Sequence, residues 1–151
     1  MRDDTYRDSS PASLYAGLIG AVLLVAGIIG FFYSASFGTP GSTDAVLGIL
    51  EVNAWHNLVH ILSGVLGLAA FASGPRASRT YALVFGVVYV VVAIWGFIIG
   101  SHETILGFLP VNTEDSILHL ILGVLGIGAY AASDPEAEAR TLTDAGATRA
   151  V

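Results

Sequence analysis

The chain has 151 residues, 54% of them hydrophobic and 12% charged, with a mean hydropathy of +0.74. A soluble domain is about 25% charged, so this composition indicates a one-domain integral membrane protein. The net charge is −6, there is no cysteine, and all six cations are arginines. That excludes disulfides, thiolate metal sites and cysteine nucleophiles, and argues against nucleic-acid binding.

Residues 1–13 are polar and read as a short disordered arm, with Pro11 near the entry to the first helix. Residues 14–36 are an apolar run, and about 20 such residues span a bilayer as a helix. The run is too long for the apolar region of a signal peptide, and the arm before it is acidic as well as basic. Residues 37–52 read as a loop, with a short interfacial turn over Ala45 to Leu50. Residues 53–73 are the second span, and residues 74–79 a breaker-rich turn. Residues 80–100 are the third span, and 101–111 a second loop in which His102 and Glu103 are expected to be solvated. Residues 112–132 are the fourth span. Residues 133–151 are a polar tail, too poor in apolar residues to fold.

Arg2 and Arg7 precede span one, Arg76 and Arg79 lie between spans two and three, and Arg140 and Arg149 follow span four. All fall on one side, so the positive-inside rule places both termini and the middle turn in the cytoplasm of a cell-membrane protein. The two longer loops then face outward.

The sequence also repeats. A shift of 59 positions lays Asp44–Asn53 over Glu103–Asn112, and His60, Gly64 and Gly67 over His119, Gly123 and Gly126. A shift of 66 lays Tyr15, Ala16, Gly20 and Gly30 over Tyr81, Ala82, Gly86 and Gly96. The expected fold is all-α: a four-helix membrane bundle of two tandem hairpins related by a pseudo-twofold axis along the membrane normal.

Within this frame Asn53, His56, Asn57, His60 and Gly64 recur every three or four residues and share one helix face. Asn112, Asp115, His119 and Gly123 repeat the stripe, with Asp115 at the place of His56. Asn53 and Asn112 read as N-caps, because asparagine accepts the free amide hydrogens of a first helical turn. Asp115 then suits the positive end of the helix dipole. His60 and His119 lie about 10 Å below the caps, where an ionisable group is a functional candidate.

Three uses of these groups stay open. One is polar glue, with neutral imidazoles bonding across helices. Another is ligation. His56 and His60, four residues apart, can share a metal as paired helical histidines do, and Asp115 and His119 repeat the spacing. Three imidazoles and a carboxylate suit zinc or a similar divalent ion. In a haem b version His60 and His119 are the axial ligands, and Gly64 and Gly123 leave room for the macrocycle. The last use is proton or solute handling. Asn57 is expected to support the histidines from behind, and Tyr89, mid-span, to offer a histidine its hydroxyl.

Gly20, Gly27, Gly64, Gly67, Gly96, Gly100, Gly123 and Gly126 read as sites of close helix packing. Trp55, Tyr130 and Trp95 read as interface anchors.

Val52-Asn53, His56-Asn57, His60, Gly64 and Gly67 resemble the mark of a prokaryotic four-helix membrane family classed as a domain of unknown function. The resemblance covers roughly residues 12–132. Many relatives have proline after the first asparagine, where this chain has Ala54. It implies the fold and a membrane location, and no activity.

No hydrolase triad, phosphate loop or dinucleotide fingerprint is present. The expectation is a non-enzymatic multi-pass protein with a histidine-centred site in its outer half. It would hold a divalent metal, or else act as a haem electron carrier or a small transporter. Its surroundings are the lipid bilayer, and the large apolar surface of four short helices makes a homo-oligomer or a membrane partner plausible.

Overall fold

The computed structural model describes residues 10–37 and 44–133. Most of the expected arm and tail lie outside the described residues. Among the described residues four helices carry the structure: α1 (Pro11–Tyr33), α2 (Ala54–Ser73), α3 (Pro75–Ile99) and α4 (Thr113–Ala132). Each is long and apolar enough to cross a membrane. Their outward faces agree, with Phe32 85% and Ile98 77% exposed. Such faces suit a hydrocarbon solvent.

Three boundaries differ from the sequence reading. Ser10 caps α1 by accepting from Ser13 N, and Pro11 opens the helix three residues before position 14. Proline at the first helical position gives up an amide that has no helical acceptor. At the other end α1 stops at Tyr33 rather than 36. The expected turn over 74–79 is almost all helix, because Gly74 alone, at φ 107°, joins α2 to Pro75.

The loops hold strands the sequence reading did not contain. β1 (Asp44–Val46) pairs antiparallel with β2 (Leu50–Val52), and β3 (Glu103–Ile105) with β4 (Leu109–Val111). Leu47-Gly48 turns the first at φ 55° and 72°, and Leu106-Gly107 the second at φ 55° and 80°. Tight hairpins require such paired positive angles. Glycine takes them freely and leucine only with strain.

Helices α1 and α2 pack along small residues, as do α3 and α4. At Gly64 even a single added carbon would stand within 3 Å of the Leu24 backbone and the Gly20 carbonyl. Gly100 does not pack: it ends α3 at φ 92° with open space where a side chain would stand. Between the pairs, Tyr15, Phe85 and Tyr89 form a buried aromatic cluster with Ala12, Leu23 and Ala82.

Tyrosine hydroxyls tie the pairs together in mid-bundle. Tyr15 donates to the Leu122 carbonyl at 2.8 Å, and Tyr81 to the Ser63 carbonyl at 3.1 Å. At the hairpin end asparagines do the same. Asn53 accepts from His56 N and donates through Nδ2 to the Phe108 carbonyl of the other hairpin. Asn112 accepts from Asp115 N and donates to the Ile49 carbonyl. Each cap thus also fastens one hairpin to the helix of the other.

Candidate metal centre

Behind their caps, α2 and α4 bring three histidines together. His56 and His60 lie one turn apart on α2, and their Nε2 atoms are 3.0 Å from each other. His119 comes from α4, its ring 6.0 Å from that of His56 and 6.4 Å from that of His60. One ligating nitrogen from each ring lies within 4.8 Å of the others. His56 and His119 are buried, and His60 is half-buried.

The Nδ1 atoms of His56 and His119 are buried without a hydrogen-bond partner. The backbone of Glu51 and Pro110 approaches His56 but closes no hydrogen bond with its ring. Buried polar atoms are rarely left so, and the lapse costs about 1–3 kcal/mol each. Tyr89 meets the His119 ring edge-on at 5.0 Å. The contact is between rings.

Asp115 does not join the histidines. Its Oδ2 accepts the Glu51 backbone amide at 3.0 Å, reaching from α4 to the first hairpin. The residue 59 positions after Glu51 is Pro110, which has no amide hydrogen to offer. The residue 59 positions before Asp115 is His56. Where the second hairpin needs no acceptor, the chain is free to carry an imidazole. His56 turns into the cluster, while its counterpart is spent on backbone.

Asn57 does not stand behind the histidines either. It faces α1, donating to the Ser34 carbonyl at 2.8 Å and filling the space left by Gly30. His102, expected in solvent, is 79% exposed at its side chain, yet its Nδ1 bonds the Glu51 carboxylate across the hairpins. Glu51 therefore links β2 to both neighbours.

The residues do not fit a bis-histidine haem. His56 crowds His60 on the side facing His119, where the macrocycle would lie. Gly64 makes room for Leu24 and Gly20, and Gly123 for Val90 and Gly86. These glycines admit helices, not a flat ring.

A cavity of about 560 Å³ runs beside the cluster between α2 and α3, roofed by the second hairpin at Leu109 and Pro110. His56, His60 and His119 line one end, and Ala70 and Ala77 the other. No sequence signal marked it, since its walls are ordinary apolar positions of two spans.

A profile of the family described as Domain of unknown function (DUF4383) matches residues 13–132. The chain belongs to this family. In this DUF4383 member the matched region takes in all three histidines and both hairpins. No curated protein and no solved structure matches the chain.

Proposed function

We propose that this DUF4383 protein binds a divalent metal ion, zinc or one of similar preference, through His56, His60 and His119. The observation that carries the reading is the convergence of three imidazole nitrogens within 4.8 Å, with two buried Nδ1 atoms left unpartnered. Neutral imidazoles suit zinc, copper and nickel, and three protein ligands leave a fourth position open. Nitrogens around a tetrahedral zinc stand a little over ~3 Å apart. The adjoining cavity leaves space for the rings to turn into that spacing.

The bundle is read as two tandem hairpin repeats about an axis along the membrane normal. The paired bonds of Asn53 with Asn112 and of Tyr15 with Tyr81 support this. The arginine distribution supports reading the metal centre as lying in the outer half of a cell-membrane protein with cytoplasmic termini. The role is one of binding rather than catalysis. A transporter is disfavoured by the mostly apolar walls beyond His60, where Leu66, Ala70, Val84 and Val88 stand and the Thr80 and Tyr81 hydroxyls are already given to backbone carbonyls.

The test is elemental analysis of the full chain, purified in detergent and dialysed against zinc. One ion per chain, lost in His119→Ala, is expected. Zinc content no higher in the wild type than in a variant lacking all three histidines would overturn the reading.

A further inference from the structure

The cavity beside the histidines has the features of a ligand site. Its volume of about 560 Å³ falls among small-molecule pockets, which are mostly apolar with a few converging polar groups. Here the imidazoles sit at one end, while the Thr80 and Tyr81 hydroxyls farther along are given to the Arg76 and Ser63 carbonyls. His56 and His119, each at most 6% exposed, line it, and each also holds one buried nitrogen without a partner. From His60 the groove follows α2 to Ala70, about 15 Å along the helix. Val59, Leu66, Val84 and Val88 on its walls are exposed on the bundle surface. In a membrane that surface meets acyl chains, so the groove opens sideways into lipid.

Charge narrows the occupant. Three neutral imidazoles leave a dication's charge uncompensated in an apolar surrounding, which is costly. Among the described residues no carboxylate joins the group, since Asp115 is engaged by Glu51. The missing negative charge has to come from outside the chain, and the groove is the space beside the cluster. Resting on the metal reading above, we propose that this groove binds a long-chain fatty carboxylate. The head group ligates the metal at the histidine end, and the acyl chain lies along α2 and α3 towards Ala70. Binding is reversible ligation, with no bond broken in the acid.

The experiment uses the full chain in nanodiscs, with cobalt(II) as a visible-spectrum probe of the centre. Titration with palmitate is expected to change the cobalt spectrum, and the uncharged methyl palmitate is not. Ala70→Trp, which narrows the far end without touching a histidine, is expected to weaken palmitate by about tenfold or more. It should leave octanoate and cobalt binding unchanged. A histidine-dependent cobalt spectrum that palmitate leaves unaltered would overturn the fatty-acid proposal while the metal reading stands. Equal responses to palmitate and methyl palmitate would overturn the role of the head group. So would a groove shown by cross-linking to be filled by a second copy of the chain. Absence of any histidine-dependent cobalt spectrum would remove both readings together.

Discussion

His56 Nε2 and His60 Nε2 stand 3.0 Å apart on consecutive turns of α2. Two neutral imidazoles at that distance share one hydrogen, so one ring donates and the other accepts. Whichever donates, the Nδ1 of His56 remains buried with nothing to bond. A metal ion would take a lone pair from each facing nitrogen in place of the shared hydrogen, and would leave the Nδ1 hydrogen of His56 to the Glu51 and Pro110 backbone beside it.

The first prediction concerns these rings. His56→Ala, His60→Ala and His119→Ala are each expected to weaken zinc by at least about tenfold, read by competition with a chromophoric chelator. The loss should appear in all three variants, because each ring supplies one of the clustered nitrogens. Full zinc affinity in any of them would remove that residue from the centre.

Asp115 separates a ligand from a fastener. Asp115→Ala takes away the acceptor of the buried Glu51 amide. A loss of about 1–3 kcal/mol in stability is expected, seen as a lower melting temperature in detergent. Zinc affinity should match the wild type. A fall in affinity with unchanged melting would make Asp115 a ligand after all.

The asparagines each do two jobs, and substitution can divide them. Asn53→Asp keeps an oxygen for His56 N but no longer donates to Phe108. Asn53→Ala loses both. The alanine variant is expected to lose about 2 kcal/mol, the sum of a cap and a net hydrogen bond. The aspartate variant should lose roughly the hydrogen bond alone. Asn112→Ala and Asn112→Asp should behave alike, since Asn112 caps α4 and holds Ile49. Equal losses for the alanine and aspartate variants would deny the cap any separate contribution.

Gly64 tests what the small residues are for. Gly64→Leu forces a side chain into the Leu24 backbone, and overpacking of this kind costs about 1–3 kcal/mol or more. A lower melting temperature is expected, with α1 displaced from α2. Gly128→Ala is the control, because nothing lies within 4 Å of an added carbon there. Equal effects from the two would mean that close approach at Gly64 contributes nothing.

Much of this protein is legible in local pattern. Runs of about twenty apolar residues announce spans, because a bilayer leaves the backbone no partner but itself. Asn53 and Asn112 announce helix starts, since the free amides they accept are their own neighbours. Spacing alone put His56 and His60 on one face, and the matching segment made His119 the candidate to meet them.

The rest depended on which groups stand opposite one another. Asp115 and His56 occupy matching places, yet one holds a backbone amide and the other a cluster of rings. That choice was made at Glu51 and Pro110, of which only Glu51 offers a backbone amide hydrogen, on hairpins the apolar pattern hid. The groove, too, is a gap between two helices joined by Gly74 and is written in neither. Sequence period reports which face a residue is on, and packing alone decides what that face meets.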